Sequence, residues 1–138
     1  MITKKNESTV SDENKVFVSS LGGKLDRNNN GVAFRKDGTP IRFGLGNESA
    51  KIHAVRRSSD QIGILPVVIT PDMVGKTIGV FLAVEDKKFP WTYKATEHEV
   101  GQQNYIDHVN RLGGIGCFAQ CTQDISNAIL NFHMRFHP

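Results

Sequence analysis

Cysteine is scarce in this chain of 138 residues, which contains two, Cys117 and Cys121. Two cysteines cannot form the framework of several disulfides that stabilises many small secreted domains. A single CxxxC pair without a second pair of ligands is also a poor zinc motif. His133 and His137 follow in the sequence and could complete such a site, but reduced thiols that pack in the interior are the favoured interpretation.

Long apolar runs are also missing. Residues 1–14, MITKKNESTVSDEN, contain no apolar stretch, so we do not expect a signal peptide. No apolar stretch approaches the length of about 20 residues that a membrane-spanning helix needs. Apolar residues make up 38% of the chain and the mean hydropathy is -0.32, which fits a compact domain with polar loops. We therefore expect a cytoplasmic protein that does not contact a membrane.

The charge balance is slightly positive. Lys and Arg number 17 against 14 Asp and Glu, which gives a net charge of +3. This excess fits a polyanionic partner, and it fits an ordinary basic surface equally well. The length is that of one domain, and the sequence shows no internal repeat or low-complexity tract. We expect a flexible N-terminus over residues 1–9 and a single domain over residues 10–138.

The pattern of apolar residues predicts an alternation of helices and strands. The strand over residues 78–84 is apolar on both faces and should lie centrally in a covered sheet. This order of elements indicates the α/β class, a mixed sheet with helices packed on it. In chain order, the prediction is a helix from Val10 to Gly22 with Ser11 as its cap, a hairpin with strands near 31–35 and 41–43, a polar loop over 46–59, strands over 62–70 and 78–84, a helix over 98–112, a strand over 115–119 and a helix over 122–133.

Glu85 and Lys87 follow the most apolar strand and are two residues apart, so their side chains should share one face. Asp60 precedes the first apolar strand and would reach the same end of the sheet if the two strands pair as a hairpin. Two carboxylates brought together repel each other, and their oxygen atoms suit Mg²⁺ or Mn²⁺. Such a metal could activate water against a phosphodiester, with Lys87 orienting the water or stabilising the transition state. Each residue alone would also fit a solvated strand end or a turn.

Gln102 lies on the apolar stripe of the helix predicted over residues 98–112. A side-chain amide on a buried face needs a hydrogen-bond partner. That partner is either the backbone near the end of the helix, or a carboxylate or bound water of the site.

Basic and aromatic residues flank these positions. Arg27 and Asn28 precede the hairpin turn, and Arg56 and Arg57 precede Asp60. Lysine and arginine contacts with phosphate dominate the affinity of proteins for nucleic acids, and aromatic rings stack on bases. Solvated surface is the alternative for each patch. A loop after the second apolar strand interleaves cations with aromatic rings, at Lys88, Trp91, Tyr93 and Lys94.

Taken together, these stretches resemble the virus-type replication-repair nuclease (VRR-NUC) family, a branch of the PD-(D/E)XK nucleases common in phage. The resemblance covers most of residues 13–130. The order and spacing of the stretches are more specific than any single one of them. They are RNNNG at 27–31, IRFGLG at 41–46, SSDQIGI at 58–64, FLAVEDK at 81–87 and GQQNYIDHVNRLGGIG at 101–116, followed by the last strand and helix.

The resemblance implies a PD-(D/E)XK restriction-endonuclease-like fold, with a mixed central sheet flanked by helices. It implies a Mg²⁺- or Mn²⁺-dependent endonuclease that hydrolyses DNA phosphodiester bonds during phage replication, recombination or repair. Stand-alone members resemble homodimers that cut branched DNA such as four-way (Holliday) junctions. The implied location is then the cytoplasm of the host cell.

The resemblance also assigns roles to individual residues. Asp60 and Glu85 would bind the metal through their carboxylates, together with Glu13 on the first helix and the backbone carbonyl of Asp86. Lys87 would be the catalytic lysine. Gln102 would be the family's helix glutamine. Arg27 and Asn28 match a family motif near the site.

Two positions depart from the family pattern. Asp86 stands where an apolar residue is usual, and Ser58 stands where a glycine precedes Ser-Asp. A lone carboxylate is costly to bury, so we expect Asp86 at an exposed strand end or paired with Lys88. The departures leave open an alternative function, a catalytically inactive nucleic-acid-binding module on the same fold. A second alternative is an accessory protein that acts through protein contacts.

Overall fold

The chain divides into two compact units, residues 1–65 and residues 66–138. A computed structural model describes residues 5–55 and 57–137. Within these residues the hydrogen-bonded strands form three two-stranded sheets, accompanied by four α-helices. The α/β class expected from the sequence is therefore confirmed. None of the helices in these two ranges is both long and apolar enough to cross a membrane.

The first unit pairs its strands in two antiparallel ladders. Residues 24–27 (β1) pair with residues 61–64 (β4), and residues 31–34 (β2) pair with residues 40–43 (β3). The second ladder confirms the hairpin predicted around the KDG turn. Asn47 stabilises that hairpin because its buried side chain donates to the carbonyls of Gly31 and Phe43, at 2.7 and 2.9 Å. In chain order the elements are α1 (Glu7–Ser20), β1 (Lys24–Arg27), β2 (Gly31–Phe34), β3 (Pro40–Phe43), α2 (Ala50–Val55) and β4 (Gln61–Ile64).

Helix α1 begins at Glu7 rather than at the predicted Val10. Asn6 caps it, because its side-chain oxygen accepts a hydrogen bond from the backbone N–H of Thr9 at 2.8 Å. Ser11, the predicted cap, lies inside the helix and its hydroxyl accepts a bond from Gln61 Nε2 at 2.8 Å. The end of the helix before two glycines agrees with the prediction.

The segment over residues 46–59, predicted as a polar loop, contains the short helix α2. Ser49 precedes this helix, and its hydroxyl accepts a hydrogen bond from the backbone N–H of Ile52 at 3.1 Å. This is the arrangement of a helix N-cap. The prediction missed it because six residues are too few to show a helical period.

The second unit is a strand–helix–strand arrangement followed by a last helix. Its strands β5 and β6 are parallel, and Leu82 pairs with Ile115 and Asp86 with Ala119 at the two ends of the ladder. Helix α3 makes the connection that parallel strands require. In chain order the elements are a 3-10 turn (Pro71–Met73), β5 (Leu82–Asp86), α3 (Glu97–Arg111), β6 (Ile115–Ala119) and α4 (Thr122–Met134).

Neither of the two predicted apolar strands spans all the residues predicted for it. The first, predicted over 62–70, forms β4 and ends at Ile64, two residues before Pro66, which has no N–H to donate to a ladder. The second, predicted over 78–84, is β5 and extends to Asp86. The expectation that Asp60 and Glu85 reach the same end of a sheet was conditional on these two strands pairing as a hairpin, whereas the ladders pair β4 with β1 and β5 with β6.

The core of the second unit lies between α3 and β6. Ile106 and Val109 from the helix are buried there with Ile115 and Ala119 from the strand. Gly116 allows this close packing, since a Cβ at that position would lie 2.9 Å from the carbonyl oxygen of Ile106. The helix therefore lies directly on the strand that pairs with β5.

The side chain of Asn110 forms backbone hydrogen bonds at the edge of β6 that faces away from β5, where a further strand would otherwise pair. Its side chain accepts from the N–H of Gly116 at 2.9 Å and donates to the carbonyl of the same residue at 3.1 Å. Arg135, just after α4, donates to the side chain of Asn110 at 2.9 Å and to the carbonyl of Gly114 at 3.0 Å. These bonds join the ends of both helices to β6.

We expect Arg135→Ala to lower the free energy of unfolding by about 1 to 3 kcal/mol, because charge-assisted hydrogen bonds to Asn110 and Gly114 are lost. Arg111→Ala is the matched control, since it removes an exposed guanidinium from the end of α3 that contacts the His108 side chain at 3.4 Å. Urea unfolding followed by the fluorescence of Trp91 measures both. Equal losses in the two variants would contradict this role of Arg135.

Candidate functional site

Gln102 lies between the two charged residues at the end of β5. Its side-chain oxygen accepts a hydrogen bond from Lys87 Nζ at 2.6 Å, and its Nε2 donates to a carboxylate oxygen of Glu85. The Lys87 and Glu85 charges are 3.8 Å apart. The amide is thus oriented with its oxygen towards the ammonium and its nitrogen towards the carboxylate. Of the two partners considered for Gln102, the structure shows the site carboxylate.

The positions of these three side chains follow from local structure. Residues 85 and 87 share a face because side chains alternate along a strand. Gln102 lies in the second turn of α3, which packs over that face. The start of α3 is fixed by a capping box between Thr96 and Glu99, so the position of Gln102 along the helix is also fixed.

The ammonium group of Lys87 is largely removed from water. The Lys87 side chain is 13% exposed, against 39% for Glu85. Lys87 Nζ lies 5.4 Å from the ring centre of Trp91 and 5.1 Å from that of Phe118. Aromatic faces attract cations, and the attraction grows as water is excluded. Two rings and one amide oxygen therefore replace part of the hydration of this ammonium.

Trp91, Tyr93 and Phe118 form a cluster, which we call the aromatic cluster. The Trp91 and Phe118 ring centres are 5.0 Å apart, and Tyr93 lies 6.0 Å from Phe118 and 6.2 Å from Trp91. These separations are typical of interacting aromatic pairs. The cluster joins the loop after β5 to the end of β6.

Glu99 is a buried carboxylate, 8% exposed, at the start of α3. It accepts hydrogen bonds from the indole N–H of Trp91 at 3.0 Å and from the backbone N–H groups of Lys94 and Thr96 at 2.9 and 3.2 Å. Burial raises the pKa of Glu99, but these hydrogen bonds together lower it below its ordinary value of 4.5. The sequence prediction missed Glu99, although the T-x-x-E spacing of the capping box was a visible signal.

The backbone carbonyl and the side-chain carboxylate of Asp86 lie in different surroundings. In the parallel ladder, odd-numbered residues of β5 direct their backbone groups to β6, as the bond from Lys87 N–H to the Ala119 carbonyl shows. The carbonyl of Asp86 is therefore directed away from β6. The Asp86 side chain is exposed, as the sequence predicted for a carboxylate at this position.

A groove of about 840 Å³ borders this site within the second unit. Glu85 and Gln102 form part of its wall, and α3 contributes His98, Gly101 and Tyr105. A Cβ built on Gly101 would meet no atom within 4 Å. The helix therefore has no side chain at this position of the groove wall, although there is space for one.

Asp60 lies in the first unit, where it lines a polar cavity of about 510 Å³ with Arg27 and Asn28. The backbone N–H of Asn28 donates to the carbonyl of Asp60 at 2.9 Å. The Asn28 side chain donates to the hydroxyl of Ser58 at 2.9 Å and to the carbonyl of Ser59 at 2.7 Å. Asn28 thus organises the turn that carries Asp60.

The acidic residues of α1 line two separate cavities. Glu7 and Asp12 line the cavity of Asp60, and Asp12 also lines an apolar cleft together with Glu13 and Phe17. Glu13 forms an ion pair with Lys5 at 2.8 Å. Glu13 is the residue that the resemblance matched to the metal-binding glutamate of the first helix.

Those of the remaining predicted nucleic-acid contacts that the structure describes lie in loops. Arg57 is exposed, and Arg56 lies outside the described residues. Lys88 and Lys94 are exposed in the loop that carries Trp91 and Tyr93, whereas Trp91 is half-buried with its ring against Lys87. Trp91 therefore serves first as a partner of Lys87.

The structure brings together Glu85, Lys87 and Gln102 in the second unit, and Asp60, Arg27 and Asn28 in the first. Comparison with protein-family models, with curated proteins and with solved structures finds no match to this chain.

We expect acid to destabilise the protein partly through Glu99. Because the folded-state pKa is lowered, the stabilisation is present above about pH 4.5 and is lost as the pH falls through the folded-state value. Glu99→Gln should therefore show a smaller fall in urea midpoint between pH 7 and pH 3 than the wild type. Glu97→Gln, an exposed change in the same helical turn, is the control and should keep the wild-type acid dependence. Parallel acid dependences for Glu99→Gln and wild type would rule the effect out.

Proposed function

We propose that the protein is a Mg²⁺- or Mn²⁺-dependent endonuclease that hydrolyses DNA phosphodiester bonds, with Glu85, Lys87 and Gln102 at the centre of its active site. The observation that carries this proposal is the chain of hydrogen bonds from Lys87 through Gln102 to Glu85 at the end of β5. A carboxylate can bind a metal ion and an ammonium can stabilise the charge that develops in phosphodiester hydrolysis, and here an amide joins the two at one strand end.

An ordinary surface ion pair would account for this arrangement less well. Exposed pairs leave both charges in water and stabilise a protein by about 0 to 1 kcal/mol. Here the Lys87 side chain is mostly buried, and its charge is held by groups from α3, β6 and the loop after β5. Such immobilisation is costly for stability, and it is useful where a charge must have a defined position.

We propose that oxygen atoms of this site hold a hard divalent cation. The Glu85 carboxylate borders the groove and is partly exposed, and the Asp86 carbonyl is directed away from β6. A divalent ion held by such oxygens lowers the pKa of a bound water and stabilises developing negative charge. Gln102 would orient the Glu85 carboxylate through its Nε2 bond. Asp60 and Glu13 enter the proposal as further carboxylate ligands on the sequence resemblance alone.

Lys87 would contribute positive charge at the reacting phosphate. An ammonium group has three N–H donors, and Gln102 accepts one of them. The others remain for the attacking water or for a non-bridging phosphate oxygen. Because the ammonium is held by Gln102 and two rings, it needs little reorganisation when charge develops in the transition state.

The proposed substrate is DNA, in particular branched DNA such as four-way junctions. The proposed active form is a homodimer whose chains have a PD-(D/E)XK fold. The exposed Lys88 and Lys94 of the loop after β5, and Arg27 in the cavity of Asp60, support a polyanionic substrate. The preference for branches and the dimer rest on the resemblance to the VRR-NUC family.

The decisive experiment is cleavage of four-way junction, flap, duplex and single-stranded DNA with Mg²⁺, with Mn²⁺ and with EDTA. We expect cleavage that EDTA abolishes, and a loss of about 100-fold or more for Lys87→Ala and Glu85→Gln, as for other groups that act on the transition state. Asp60→Ala tests the proposed ligand of the first unit in the same way. Arg111→Ala is the control for a lost positive charge and should cut at the wild-type rate.

Cleavage by Lys87→Ala at the wild-type rate, or cleavage that persists in EDTA, would refute the proposal. A wild-type protein that binds DNA with steep salt dependence, but neither cuts it nor binds Mn²⁺, would instead be the inactive binding module. The exposed Asp86 side chain is compatible with either function, because the metal would use its backbone carbonyl.

A further inference from the structure

Glu99 uses its two carboxylate oxygens for different purposes. One oxygen, Oε2, accepts the backbone N–H groups of Lys94 and Thr96, and the second of these bonds belongs to the capping box of α3. The other oxygen, Oε1, accepts the indole N–H of Trp91 at 3.0 Å. Capping a helix needs only the first of these oxygens, and an exposed glutamate could supply it.

Trp91 is held at both its backbone and its ring. Gln120, at the end of β6, accepts the backbone N–H of Trp91 at 2.8 Å and donates to its carbonyl at 3.4 Å. The ring is held by Glu99 through the indole N–H and packs against Phe118 at 5.0 Å. The orientation of the indole is thus set by groups from α3 and β6.

The indole in turn contacts the ammonium group of Lys87, with Nζ 5.4 Å from its ring centre. Cation–π attraction depends on the ring presenting its face to the charge. An indole that rotates away would leave Lys87 with Phe118 and Gln102 and would admit water beside the ammonium. The orientation of Trp91 therefore controls how firmly Lys87 is held.

We propose that Glu99 is a positioning residue for Lys87, and that it acts by fixing the indole of Trp91 against the ammonium group. The placement of Lys87 is a property of the folded protein that can be measured directly. Only the consequence for DNA cleavage rests on the proposed function.

Glu99→Gln separates this role from helix capping. A glutamine has one acceptor oxygen, and its other terminal atom is an NH₂ donor. If the oxygen keeps the two backbone N–H groups of the loop and the cap, the NH₂ group faces the indole N–H of Trp91 and two donors oppose each other. The variant should therefore keep α3 while the indole loses its partner.

The first test does not require catalysis. Trp91 is the only tryptophan of the chain, so its quenching by acrylamide reports on the indole alone. The reactivity of Lys87 towards an amine-modifying reagent can be followed by peptide mass spectrometry. In Glu99→Gln we expect stronger quenching of Trp91 and several-fold faster modification of Lys87. Arg135→Ala destabilises the same unit at the far end of α3 and should leave both quantities at their wild-type values.

A second variant tests whether the effect passes through the indole N–H. Trp91→Phe keeps an aromatic face near Lys87 but has no N–H for Glu99. Adding Glu99→Gln to Trp91→Phe should change the modification of Lys87 much less than Glu99→Gln does alone. Effects of equal size in the two backgrounds would overturn the proposal, and so would a Glu99→Gln protein with unchanged Lys87 reactivity.

The cleavage assay then extends the inference to the proposed function. Glu99→Gln should lower kcat by about 10- to 100-fold, as small misplacements of a catalytic group do, with a smaller change in KM. If the wild type cuts no DNA, the proposed nuclease function fails, but the labelling and quenching results still decide whether Glu99 positions Lys87.

Discussion

One ammonium group held out of water is the constraint on which the arrangement of the second unit depends. Lys87 is mostly buried, and a buried charge is tolerated only where other groups replace its hydration. Its partners come from three separate elements: Gln102 from α3, Phe118 from β6, and Trp91 from the loop between β5 and α3. A shift of any one of these elements would leave the charge less well compensated. The same contacts that make the site possible therefore restrict how the unit can pack.

The core and the site of this unit share one structural solution. Helix α3 can approach β6 because Gly116 has no side chain, and the helix then buries Ile106 and Val109 against the strand. That close approach also brings Gln102 within reach of Glu85 and Lys87. The capping box of Thr96 and Glu99 fixes where α3 begins. The position of Gln102 along the helix and the burial of Ile106 and Val109 are therefore fixed together.

The sequence predicted those parts of the structure that follow from local periodicity. The spacing of Glu85 and Lys87 required a common face, and an amide on the apolar stripe of α3 required a partner, which is Glu85. Strand β6 and the β2–β3 hairpin also have the predicted positions. The parallel partner of β5 was not predictable, because strand pairing depends on tertiary packing and not on period. Gln120 escaped notice because its partner, Trp91, is 29 residues away in a loop without a repeating pattern.

The acidic residues of α1 show how neighbouring residues of one helix acquire different partners. Glu13 was named because the resemblance places a metal-binding glutamate on the first helix. In the structure Glu13 pairs with Lys5, whereas Asp12 pairs with Lys15 at 3.6 Å and lines the cavity of Asp60. Each residue turns the helix by about 100°, so adjacent acidic residues point in clearly different directions.

Gly101 gives the groove beside Glu85 an unusual wall. A glycine inside a helix costs about 1 kcal/mol relative to alanine, and no neighbouring atom would prevent a larger side chain here. Because Gly101 has no side chain, a substrate group that enters the groove would meet the peptide backbone of α3 at this position.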